Sequence, residues 1–201
     1  MEHIYPFLIA FIMVFVAELG DKTQLLVISF SGIIKAKTIL LGIALGSLFS
    51  HGLAILFGSR IGLLQNQLIH HLLELLTYCS FVLIGIISLI PKKEKISPNS
   101  SSKDGLIKQI SKLKINYILI IALSIMIGEL GDKTFLASIG FGIQYPNYKI
   151  ALIIGAICGM VVSDSIAIMF GKFLSKHISE KVMQKVSGIL FLIFGLIGLI
   201  F

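Results

Sequence analysis

Glu18-Leu19-Gly20-Asp21-Lys22-Thr23-Gln24 returns almost unchanged as Glu129-Leu130-Gly131-Asp132-Lys133-Thr134-Phe135, and each copy lies within a stretch apolar enough to cross a lipid bilayer. A charged side chain inside hydrocarbon costs about 3 kcal/mol or more. A chain that keeps two such sets there is expected to hold a cation or protons with them.

The rest of the chain fits that setting. Its 201 residues are 56% hydrophobic with a mean hydropathy of +1.00, more apolar surface than a soluble domain of this length can hide. It reads as an all-α integral membrane protein. Six stretches are long enough to span at about 20 residues per crossing: Ile4 to Ile34, Thr38 to Arg60, Leu72 to Ile90, Ile115 to Tyr145, Lys149 to Phe170 and Val182 to Phe201. The first and fourth are too long for one straight crossing, and both carry the motif. Met1-Glu2-His3 lacks a basic n-region and the following run leads into Glu18 instead of a small-residue cleavage site, so the first segment is expected to be retained. The lack of an Arg-rich presequence points to a bacterial cell membrane. Cys79 and Cys158 fall in expected spans and read as small apolar core residues.

The net charge of +7 is not a nucleic-acid footprint, because of where it lies. With six crossings, the odd-numbered connections hold Lys35 and Lys37, then the lysines between Lys92 and Lys114, then Lys172, Lys176, Lys181 and Lys185, which is thirteen of the seventeen basic residues. The opposite side holds Arg60 and Lys149. The positive-inside rule then places the central connection in the cytoplasm and both termini outside, with the lysines facing anionic lipid.

Residues 91–116, rich in Lys and Ser, read as a solvated linker between two halves, 1–90 and 117–201. The halves match beyond the motif. Gly42-x-x-x-Gly46 with Phe57-Gly58 corresponds to Gly155-x-x-x-Gly159 with Phe170-Gly171 at an offset of 113, against 111 for the motif itself. This is an internal duplication. Three crossings per unit invert the second copy relative to the first, the arrangement in which secondary transporters place a site at the membrane midplane. The paired GxxxG patterns suggest that helices two and five pack on each other.

On a continuous helix, Glu18 and Asp21 share a face, as do Glu129 and Asp132. If the two motif helices meet, four carboxylates converge, a set of hard oxygen donors suited to a divalent ion such as Ca²⁺ or Mn²⁺. Thr23, Thr134 and carbonyls freed near Gly20 and Gly131 would complete the shell. Such a cluster also binds protons, and an arriving cation must displace them, which with alternating access produces antiport. Lys22 and Lys133, four residues after each Glu, have two readings: an intrahelical ion pair, or an ammonium that occupies the empty carboxylate cluster. His51 and Asp164 are equivalent under the 113 offset. Asp164 is the stronger candidate for a proton or cation ligand, and His51 reads as a hydrogen-bonded packing residue or a proton relay. Gln24 and Ser138 are expected to bond to backbone.

Two copies of Glu-x-Gly-Asp-Lys-Thr, one in the first helix of each three-helix half, resemble the signature of the small Gdt-type family of cation/proton antiporters, with calcium and manganese transporters among its members. The resemblance covers essentially the whole chain. It implies exchange of Mn²⁺ or Ca²⁺ for H⁺, exporting the metal from the cytoplasm, with Glu18, Asp21, Thr23, Glu129, Asp132 and Thr134 as metal ligands. The ion and protons are then the partners and no cofactor is required. Two other classes compete. Small six-helix exporters of basic amino acids have similar hydropathy, but duplicated acid pairs fit a divalent ion better. Intramembrane aspartyl proteases also use two Asp on two helices, but their Gly-x-Gly-Asp pattern is absent and each Asp here has Glu and Lys companions.

Overall fold

In a computed structural model of the chain, residues 2–19, 21, 24, 27–28, 31, 34–64, 67–90, 116–177 and 180–200 are described. Every regular element among them is helical. The helices are α1 (Ile4–Glu18), α2 (Ala36–Gly62), α3 (Gln67–Leu89), α4 (Tyr117–Glu129), α5 (Lys133–Gln144), α6 (Lys149–His177) and α7 (Glu180–Ile200), with one 3₁₀ turn at Pro146–Tyr148 between α5 and α6. A helix satisfies its own backbone hydrogen bonds, which hydrocarbon demands. Three helical stretches, Ala36–Gly62, His71–Leu89 and Pro146–Met169, are long and apolar enough to cross a membrane, while Ile4–Glu18, Tyr117–Glu129 and Lys185–Ile200 are shorter apolar helices.

Burial is distributed as lipid requires and water forbids. Large apolar side chains face outward, among them Phe57 at 60% exposed, Ile127 at 66%, Ile150 at 68% and Met169 at 74%, while Ser47, Ser50, His51, Glu129, Ser163 and Asp164 are buried. An outer surface of this kind is stable only against an apolar solvent. The interior core is formed by Met13, Ile39, Ile43, Ile121, Ile125, Leu152, Met160 and Phe191.

The first helix on each side of the Lys- and Ser-rich segment packs on the long helix of the other side. α1 lies along α6 and α4 along α2, while α2 also meets α5 and α6, and α3 packs on α7. Glycines permit these approaches. A Cβ on Gly42 would stand 2.7 Å from the Ile121 Cβ and one on Gly46 2.7 Å from the Ala122 carbonyl oxygen, both in α4. A Cβ on Gly159 would stand 2.6 Å from the Phe11 carbonyl oxygen in α1, and one on Gly155 would strike that of Phe7. Helices two and five do pack on each other, as α2 on α6, but the glycine pairs themselves receive the motif helices α4 and α1. The reason is steric: a glycine stripe takes the backbone that comes closest, and here that backbone belongs to α1 and α4. The cysteine expectation is corrected too. Cys79 is exposed and Cys158 only partly buried, because both sit on outward helix faces where lipid accepts a thiol as readily as the core does.

Candidate ion site

The long first and fourth apolar stretches are interrupted at the motif. α4 ends at Glu129, Leu130 has φ −61° and ψ 116°, Gly131 has φ +82°, and the Asp132 N–H donates to the Glu129 carbonyl at 3.1 Å. These are the features of a type II turn, whose third residue takes the positive φ that glycine alone adopts without strain. The first copy repeats them where it is described: Leu19 has φ −61° and ψ 115°, and the Asp21 N–H donates to the Glu18 carbonyl at 3.1 Å. The helical face expected to carry each Glu and Asp together is thus corrected. Each Glu closes one helix, and Asp132 occupies the N-cap position of α5 without a side-chain capping hydrogen bond. The Leu-Gly pair favours the turn, and the turn releases main-chain carbonyls at the C-terminal ends of α1 and α4, where the helix dipole is negative.

Across these breaks Glu18, Glu129 and Asp132 converge, each offering a carboxylate oxygen within 4.8 Å of the others. Glu18 is 1% exposed and Glu129 0%. Two unit charges 4.8 Å apart repel by about 3 kcal/mol at an effective dielectric of about 20. Three such pairs hold their full charge only with a cation among them. The buried Thr134 hydroxyl donates to Glu129 Oε2 at 3.0 Å and orients that carboxylate.

The fourth motif acid, Asp21, stands beside Asp132 and its charge reaches both Glu18 and Glu129. Among the described residues Lys133 pairs with Asp21, Nζ to Oδ2 4.0 Å, instead of with Glu129 along a helix, one of its two readings, and its charge also acts on Glu18 and Asp132. The break explains this correction, because it places Lys133 in the first turn of α5, facing the other copy of the motif. Lys22 and Thr23, and the linker 91–115, lie outside the described residues.

Two further polar ties join the amino-terminal and carboxy-terminal parts. Gln24 Nε2 donates to Ser163 Oγ at 2.8 Å and more weakly to the Ser163 carbonyl at 3.4 Å. His51 Nδ1 and Ser138 Oγ are 3.0 Å apart, both side chains fully buried. Gln24 and Ser138 were expected to bond to backbone; Gln24 does so at the Ser163 carbonyl but makes its shorter bond to the Ser163 hydroxyl, and Ser138 meets the His51 side chain on a neighbouring helix. Ser163 escapes the sequence reading, although the 113 spacing that aligns His51 with Asp164 also aligns Ser50 with Ser163. Asp164 is 1% exposed and neither carboxylate oxygen has a hydrogen-bond partner among the described residues. It lies close enough to Glu18, Glu129 and Asp21 for the charges to interact.

Apolar helices broken at buried carboxylates are the means by which secondary transporters hold an ion inside a membrane. The chain belongs to the GDT1 family of divalent cation/proton antiporters, whose pattern matches residues 6–96 and 117–201. It is accordingly a membrane transporter and not an enzyme, which removes the protease reading. It is similar to a Vibrio cholerae protein named "Putative manganese exporter", 27% identical over 197 residues that cover 97% of this chain and 91% of that one. A GDT1-like protein of Synechocystis is 27% identical over 198 residues, covering 93% of each chain. The rice chloroplastic GDT1-like protein 2 is 27% identical over 207 residues, and the chain spans 59% of its length. No solved structure matches the chain.

Proposed function

We propose that this protein exchanges a divalent cation, Mn²⁺ ahead of Ca²⁺, for protons and moves the metal out of the cytoplasm. The observation that carries the reading is the meeting of Glu18, Glu129 and Asp132 from both motif copies at paired helix breaks. Oxygen donors alone suit hard or borderline ions, and the name of the Vibrio cholerae relative favours manganese. Asp21, Thr23 and Thr134 complete the ligand set, Thr134 through Glu129 and Asp21 once Lys133 withdraws. His51 serves the packing between α2 and α5, and Lys22 balances charge.

The reading includes the membrane arrangement. Residues 1–90 and 117–201 form two inverted three-helix repeats joined by a cytoplasmic linker, 91–116, with both termini outside the cell membrane. The exchange of partners between α1–α6 and α4–α2, each seated on a glycine pair, supports a twofold relation of this kind. Protons compete with the metal for the same oxygens, and a proton gradient directed inward then drives the metal outward. The test is Mn²⁺ flux in proteoliposomes under an imposed pH gradient. Glu18→Gln and Glu129→Gln each abolish gradient-driven flux, and retention of that flux in either variant overturns the reading.

A further inference from the structure

We infer that Asp164 forms a second cation station beside the motif cluster and takes the same hard divalent ion. The inference rests on the proposed exchange and extends it to a residue outside both motif copies. Asp164 lies midway along α6, the longest helix, at a depth where an acid is costly. It is 1% exposed, and both of its oxygens lack hydrogen-bond partners among the described residues. An ionised carboxylate accepts hydrogen bonds and donates none, so the absence of donors leaves a cation as its natural partner.

No described positive charge acts on it directly. The charges that reach it belong to Glu18, Glu129 and Asp21, all acidic, while the ammonium of Lys133 acts on Glu18 and lies 4.0 Å from Asp21. The tie from Gln24 to Ser163 fixes the adjacent residue and with it the register of α6 against the chain that follows the first motif. The equivalent position on α2 is His51, whose Nδ1 is engaged by Ser138. The station therefore belongs to the α6 side only. Such a carboxylate destabilises the ion-free protein and is relieved when a divalent ion arrives, a pattern common to functional sites that trade stability for binding.

This gives a test whose sign a structural role cannot reproduce. In purified, detergent-solubilised full-length protein titrated with MnCl₂, Asp164→Asn and Asp164→Thr are expected to leave the melting temperature of the ion-free protein unchanged or raise it. Both are expected to weaken Mn²⁺ binding about tenfold or more, within the range that loss of a metal-site partner causes, and to shrink the Mn²⁺-induced rise in melting temperature accordingly. Binding within about twofold of the unaltered protein in both variants overturns the inference, as does loss of the fold in both. Glu18→Gln separates the two readings. If it removes Mn²⁺ binding while the Asp164 variants do not, only the second station falls; if the unaltered protein binds neither Mn²⁺ nor Ca²⁺, the exchange reading falls with it.

Discussion

Gly131 shows how much one residue contributes to the site. At φ +82°, with no atom within 4 Å of the place a Cβ would take, Gly131→Ala meets backbone strain alone, about 1–2 kcal/mol. The expected outcome is a lower melting temperature in detergent, together with weaker Mn²⁺ binding, because the turn sets the distance between Glu129 and Asp132. Thr134 acts on the same carboxylate from one turn further on. Thr134→Val removes the donor to Glu129 Oε2 at a cost of about 1–3 kcal/mol, and a binding titration should show the loss as weaker Mn²⁺ affinity. These residue identities were legible in the sequence, since a repeated Glu-Leu-Gly-Asp-Lys-Thr inside an apolar stretch has few uses. Their geometry was not. Spacing of three residues fits a helical face and a type II turn equally well, and the choice depends on a backbone angle that periodicity does not report.

At the scale of elements, the breaks explain why the first and fourth apolar stretches exceed one crossing: each holds a shorter helix, a turn and further helical residues. The glycine pairs act between elements. A Cβ on Gly155 would meet the Phe7 carbonyl of α1, a backbone atom that cannot rotate away, whereas one on Gly52 would meet only Leu48 Cδ1 at 3.6 Å. Gly155→Ala is therefore expected to destabilise by about 1–3 kcal/mol and Gly52→Ala to be near neutral or slightly stabilising, which paired thermal melts would check. Equal effects of the two substitutions would contradict the packing described here. The GxxxG repeats were visible in the sequence as close-packing signals, but a small-residue stripe does not name its partner. Both accept a motif helix from the other part of the chain, which only the path of α1 and α4 through the bundle decides.

For the whole molecule, the proposed exchange places metal and protons on one carboxylate cluster between the two parts of the chain, which would tie metal binding to proton release. Every proton held by Glu18, Glu129 or Asp132 must leave before a divalent ion takes its oxygen, so the Kd for Mn²⁺ is expected to rise as pH falls and to fall as pH rises. A titration series across pH should show this, and a Kd independent of pH would remove proton exchange from the mechanism. Class and family were written in composition and motif: the apolar content demanded a membrane, and the duplicated acids demanded an ion. The lysine distribution carries an expectation of orientation, which belongs to the proposed membrane arrangement. What the sequence determined by itself is thus the solvent around this protein and the groups that matter inside it, because hydrophobicity and buried charge are properties of residue types. Tertiary structure decided that Lys133 answers Asp21 across the two copies, that Gln24 holds Ser163 and that Asp164 is left without a donor among the described residues. Such pairings depend on distances between helices far apart in the chain, and no local pattern encodes those distances.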